Sequence, residues 1–213
     1  MVGSSSVAAP SAPQAFEVWR QPAGEVQYRI CIDNRGATEF ADCAGPTRRF
    51  GPWKTGKDCV PVLYVGSTVA SVVMEVAFHD VDLTVPEPKA FLSDLRLRRS
   101  TIAPTRDLKL ARLDDDALAR LGIKRDQLID TPPHTYGRTV KWAKAAHASP
   151  EAFDGVIWHS RRHPSSRVSV WFADRVDRLK DVDVVEEPVP MLSGSGYEEA
   201  LQIATDHGIT IIH

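Results

Sequence analysis

The chain has 213 residues, 43% hydrophobic and 25% charged, with a formal net charge of −2. That length suits one medium domain with a sizeable core, and the composition is ordinary for a soluble globular protein. The lack of a basic excess argues against direct nucleic-acid binding, and no apolar run approaches the roughly 18 residues of a membrane span.

Cys31, Cys43 and Cys59 are the only cysteines and form no Cys-x-x-Cys pair. So sparse a set suits a reducing compartment and predicts neither a disulfide framework nor a zinc site. The N-terminus has no basic start and no apolar core of a signal peptide, so a cytoplasmic location is expected.

Residues 1–14 are rich in Ser, Ala and Pro and read as disordered, with Phe16, Val18 and Trp19 suited to anchor a short arm. The first convincing strand spans 26–32: Val26, Tyr28, Ile30 and Ile32 alternate with Gln27, Arg29 and Cys31. Arg29 therefore projects away from the main apolar face, either into solvent or into a cleft. Residues 34–57 carry Gly36, Gly45, Pro46, Gly51, Pro52 and Gly56 and read as a long irregular loop. Arg48 and Arg49 lie in it. They are either solvated loop charge or a fork for phosphate, because guanidinium donates two parallel hydrogen bonds to an oxyanion.

Residues 61–81 read as strand, tight turn and amphipathic helix. Val62 to Val65 form a β-branched and aromatic run, Gly66 breaks it, and Ser67 or Thr68 caps the helix. Val69, Val72, Val73 and Val76 recur at helical spacing, while Ser71, Glu75 and His79 share a second stripe. A lone Glu at the border of a helix is most often a solvated residue. Here the carboxylate lies among apolar neighbours, which is costly without partners or a task. Tyr64, at the end of the strand, would share its sheet edge.

Further on, 91–97 and 107–113 read as strands, with Arg98, Arg99 and Ser100 as an exposed turn between them. Residues 114–121 read as a helix stopped by Gly122, and 136–147 as another. Strands are expected over 155–159, 168–172 and 182–185, then a helix over 198–207 and a strand over 208–212. The elements do not alternate regularly, which predicts one α+β domain. The expected layout is a flexible arm at 1–22, the main domain at 23–186, and a helix–strand extension of the same domain at 187–213.

Four stretches taken in order resemble the RES-domain family: Tyr28-Arg29, the loop Arg49-Phe50-Gly51-Pro52, Leu63-Tyr64 followed by Glu75, and residues 154–161 (Asp-Gly-Val-Ile-Trp-His-Ser-Arg). The resemblance implies an ADP-ribosyltransferase-like fold with mixed sheets. It implies an enzyme that takes NAD⁺ as substrate, without a metal, and breaks the nicotinamide–ribose bond by phosphorolysis or hydrolysis. It also implies a bacterial toxin neutralised by an antitoxin protein. The family's arginine, glutamate and serine map to Arg29, Glu75 and Ser160. Arg20 competes with Arg29, and Thr135 and Tyr136 occupy a place where some relatives carry the serine. Arg48 and Arg49 leave the register of the loop arginine open.

In that frame Glu75 faces an oxocarbenium-like centre, as in glycoside hydrolysis. Arg29 and Arg49 suit the pyrophosphate. Tyr64 and Trp158 suit the nicotinamide ring, and Ser160 a ribose hydroxyl or the acceptor. Arg48, Tyr136 and Arg161 complete the binding set. The acceptor is phosphate or water, and homo-oligomer formation stays open. Protein ADP-ribosylation by the same residues is an alternative, and a non-catalytic interaction domain of this fold is a second. A metal hydrolase using Glu75, His79 and His134 is disfavoured, since no His-Glu-x-x-His arrangement is present.

Overall fold

The computed structural model describes residues 8–10, 14–92 and 96–212. The strands are β1 (Val18–Gln21), β2 (Gln27–Ile32), β3 (Trp53–Thr55), β4 (Asp58–Val60), β5 (Val62–Gly66), β6 (Lys89–Phe91), β7 (Leu97–Pro104), β8 (Leu108–Arg112), β9 (Gly155–His159), β10 (Arg167–Phe172), β11 (Val182–Pro190) and β12 (Thr210–Ile212). The helices are α1 (Val69–Val72), continued by a π-helical turn (Val73–Ala77), α2 (Asp115–Arg120), α3 (Arg125–Leu128), α4 (Tyr136–His147) and α5 (Gly194–Asp206).

Eight strands form one mixed sheet in the order β1-β8-β9-β10-β5-β2-β7-β11, in which β8 and β9 run parallel. β1 lies three places from β10 in that order, yet the Arg167 guanidinium sits 4.2 Å from the centre of the Trp19 ring. The sheet is therefore curled. This is the α+β single domain that the sequence predicts. Among the described residues no helix is long and apolar enough to cross a membrane.

The curl gives three apolar clusters. Leu63, Val65, Ile102, Leu110, Ile157 and Trp171 form one of them. Val62, Val156, Val170 and Phe172 pack with Val140, Trp142 and Ala143 of α4 in the second. Ile30 and Leu97 pack with Val72, Val73 and Met74, and with Ala200 and Ala204 of α5, in the third. β5 is thus buried on both faces, which is why Val62 to Val65 reads as an unbroken apolar run.

Three expectations are corrected. The stretch 34–57 is not wholly irregular: Trp53 and Val60 pair across the β3–β4 hairpin and are both buried. Cys43 and Cys59 form a disulfide across that stretch, while Cys31 is free and buried. The fold-back of the hairpin brings the two together, and their spacing gave no sign of it. The cysteine count therefore no longer argues for a reducing compartment. Arg98, Arg99 and Ser100 lie within β7, not in an exposed turn. Arg99 is buried there because Glu199 of α5 accepts from its Nε at 2.7 Å and the Tyr28 ring lies beneath its guanidinium. The strand expected over 91–97 falls partly on 93–95, outside the described residues, and the described strands flank that gap. The N-terminal stretch is anchored, as Phe16, Val18 and Trp19 lead one to expect. Phe16 is buried against Trp142 and Phe153, and Val18–Gln21 is an edge strand paired with β8. Residues 1–7 and 11–13, on which the expected disorder falls, lie outside the described residues.

Candidate functional site

The site is built where β5 hands over to the helix. Gly66 is required by close approach: a Cβ there would lie 2.3 Å from Ser71 Oγ. Ser71 is that near because it closes a capping box with Thr68, its N–H donating to Thr68 Oγ1 and its hydroxyl to the Thr68 carbonyl. Four residues on, the helix widens. Phe78 N–H donates to Val73 O at 3.0 Å, an i to i+5 bond. Such π-turns shift side chains off the ordinary helical stripe and recur at functional sites. Here Val76 is exposed and Glu75 half-buried, so the apolar face expected from a regular helix ends at Val73 and Met74.

Glu75 Oε1 accepts three hydrogen bonds: from Ser160 Oγ at 2.6 Å, Arg161 N–H at 2.7 Å and Arg162 N–H at 3.2 Å. No described residue donates to Oε2. Ser160 is fully buried, and its hydroxyl also accepts from the N–H groups of Arg162 and His163. One donor and two acceptor sites exhaust a hydroxyl. Ser160 therefore orients Glu75, and in this arrangement its hydroxyl has no bonding capacity left over.

The two loop arginines differ. Arg49 is buried: its Nη1 donates to Thr131 Oγ1 at 2.7 Å and to Leu128 O, and its Nη2 to Thr131 O. The Tyr136 ring lies 5.1 Å from its guanidinium. Burial pulls its pKa down, opposed by Tyr136, Glu75 and Tyr64. Arg48 is exposed, with its guanidinium 5.7 Å from the Tyr64 ring centre. Thus Arg48 is the arginine left available to an anion, and Arg49 braces the loop.

Tyr64 is half-buried, and its hydroxyl accepts from Phe50 N–H at 2.9 Å. Burial pushes its phenol well above the ordinary range, against the pull of that hydrogen bond and of Arg48 and Arg49. Trp158 is a core residue, edge-on to Phe50 at 4.7 Å and to Tyr64 at 6.4 Å. It braces Tyr64 and has no free face for stacking on a ligand. Arg161 is exposed, while Arg162 turns its Nη2 to the carbonyls of Phe78 and Val81 and so ties down the end of the π-turn.

Glu75, Ser160, Arg48, Arg49, Tyr64, Tyr136, Trp158 and Arg161 thus come together. Arg29 does not join them directly. It leaves β2 on the side opposite Tyr28 and Ile30, which pack with the Glu75 helix. It is buried, and its Nη1 donates to the carbonyls of Ala37 at 2.9 Å and Glu39 at 2.8 Å. Neither solvent nor an open cleft receives it. Burial lowers its pKa, and the nearby Arg48 charge acts in the same sense.

Sequence reasoning missed Thr131 and Thr139, the latter donating to the Arg49 carbonyl. It named Thr68 as a helix cap but missed Ser166, whose hydroxyl oxygen is 2.8 Å from that of Thr68. A small hydroxyl residue, whether in a loop or, like Thr139, within α4, carries no pattern that would mark it. Among the described residues, no cluster of three or more His, Cys, Asp or Glu is placed to hold a metal ion.

Residues 26–192 match the family model described as the RES domain. No curated protein and no solved structure matches the chain.

Proposed function

The chain belongs to the RES-domain family, and from that membership we propose that it is an NAD⁺-consuming enzyme of ADP-ribosyltransferase-like type, cleaving the nicotinamide–ribose bond. The observation that carries this reading is the Glu75 carboxylate. One oxygen is fixed by three donors, among them the N–H of the exposed Arg161, and the other receives no hydrogen bond from a described residue.

Loss of nicotinamide from NAD⁺ builds positive charge on the ribose carbon. A carboxylate already fixed in place stabilises that charge without reorganising, which favours the transition state over the ground state. Oε2 of Glu75 faces the ribose. Arg48 and Arg161 hold the pyrophosphate, and Tyr64, braced by Trp158, sets the face for the nicotinamide ring. Arg49 and Tyr136 shape the wall. Arg29 acts from beneath, through its charge and by holding the carbonyls that lead into the arginine loop. Nicotinamide leaves as a neutral molecule, so no general acid is needed.

Phosphate is the preferred acceptor, with water second. The exposed Arg161 lies beside the N–H group that binds Glu75, where an anion would be oriented for attack. In the cell this activity would make the chain the toxin of a toxin–antitoxin pair acting on cytoplasmic NAD⁺, with a partner protein covering the site. The test incubates purified chain with NAD⁺ at varied phosphate and resolves the products by mass. A phosphorylated ADP-ribose supports phosphorolysis, and free ADP-ribose at a phosphate-independent rate supports hydrolysis. Label on protein moves the reading to a protein ADP-ribosyltransferase, and intact NAD⁺ sinks it.

A further inference from the structure

The loop after β9 is laced to the Glu75 helix at both ends. Ser160 and the Arg161 and Arg162 N–H groups hold Glu75, and the Arg162 side chain holds Phe78 and Val81. At the other end, Ser166 Oγ sits 2.8 Å from Thr68 Oγ1, the cap where that helix begins. Within the loop, Ser160 N–H donates to Ser166 O and Ser166 N–H to His163 O, closing it into a turn.

His163 is the hub of this turn. Its N–H donates to Ser160 Oγ, and its Nδ1 lies 2.8 Å from Ser166 Oγ and 3.3 Å from Ser165 Oγ. Its ring packs on His207, with centroids 5.5 Å apart. His207 caps the end of α5, outside the family-matched residues 26–192. Its Nδ1 lies 2.8 Å from the Ile203 carbonyl and so carries the proton there.

We propose that His163 is a positioning residue for Glu75, holding the turn that aims three donors at Oε1 only while its Nδ1 accepts from Ser166. When His163 is neutral, the Thr68 hydroxyl donates to Ser166 and the Ser166 hydroxyl to Nδ1. Protonation turns Nδ1 into a donor and reverses the chain, so the Ser166 hydroxyl points back at Thr68 Oγ1, which already accepts from Ser71 N–H. The displaced Thr68 hydrogen then has no acceptor among the described residues. The groups facing His163 are Ser165 and Ser166 on its own loop, Thr68 through Ser166, and His207 from α5. Burial and the His207 charge both lower the His163 pKa, so the neutral form prevails at neutral pH and the locked turn fails as pH falls through the acid side of the imidazole range.

The test compares wild type with His163→Ala, His163→Asn and His207→Gln. The kinetic part rests on the proposed NAD⁺ reading, so a second readout needs no substrate: the ¹³C resonance of the Glu75 carboxyl, assigned with Glu75→Gln, followed against pH. In wild type it should show an inflection at the His163 titration. That inflection should vanish in His163→Asn, which keeps an acceptor but does not titrate. His163→Ala should lower kcat roughly tenfold or more with little change in KM. His163→Asn should restore most of that loss and flatten the acid limb, and His207→Gln should move the limb to higher pH. A Glu75 resonance indifferent to His163 overturns the proposal, whether or not NAD⁺ is consumed. So does an unchanged kcat in a folded His163→Ala protein that does consume NAD⁺.

Discussion

The Ser160 hydroxyl donates to Glu75 Oε1 at 2.6 Å, joining a strand end and a π-turn 85 residues apart in sequence. Ser160→Ala removes that donor and also takes the hydroxyl acceptor from the His163 N–H, while the Arg162 N–H keeps Glu75 Oε1. The expected cost is about 1–3 kcal/mol of stability. Turnover should fall more than binding does, because Glu75 is still present but no longer fixed. Urea unfolding and kcat against KM measure the two effects, and a variant that loses only binding would argue that Ser160 touches the substrate.

Glu75→Gln preserves shape and removes the charge. The fold should be retained and NAD⁺ turnover should drop by roughly a hundredfold or more, the scale of losing one preorganised electrostatic partner. Near-normal turnover in a folded Glu75→Gln chain is incompatible with the proposed role.

Arg48 and Arg49 should separate cleanly. Arg48→Ala at an exposed position should leave stability within about 0.5 kcal/mol while raising KM for NAD⁺ several-fold. Arg49→Ala empties a buried bracket to Leu128 and Thr131 and should cost about 2–4 kcal/mol. Thermal unfolding and a binding titration on both variants decide the assignment. A destabilised Arg48→Ala protein with unchanged affinity would reverse it.

The Cys43–Cys59 bridge closes a loop with a sequence separation of 16. Replacing both cysteines by serine should cost about 3 kcal/mol through the freed unfolded chain. A dithiol reductant should lower the Tm of wild type by a similar margin and leave the double variant unmoved. Equal sensitivity of both proteins would show that the bridge is not formed.

The strand–turn–helix around Tyr64 and Glu75 was legible because apolar period and a glycine break are local signals. So were the helix over 136–147 and the strand over 155–159, which match the structure to the residue. Arg99 misled the reading because a buried arginine looks like a turn until its partner, Glu199, is brought from 100 residues away. The π-turn, the disulfide and the hydroxyl network were invisible for the same reason: each depends on what packs against it. Ser160 is named through its motif, whereas its bonds to Glu75, Arg162 and His163 show only in the geometry.

β12 pairs in parallel with β6, Thr210 opposite Lys89 and Ile212 opposite Phe91, and α5 just before it covers the helix that carries Glu75. In a nascent chain this ordering has a temporal meaning. Every residue proposed to touch NAD⁺ has been synthesised by Arg161, yet the floor beneath Glu75 is not laid until some fifty residues later. Domains fold as their partners emerge, and contacts of long sequence separation form late. Assembly of the site therefore waits on residues that emerge only after all of its own side chains have been made.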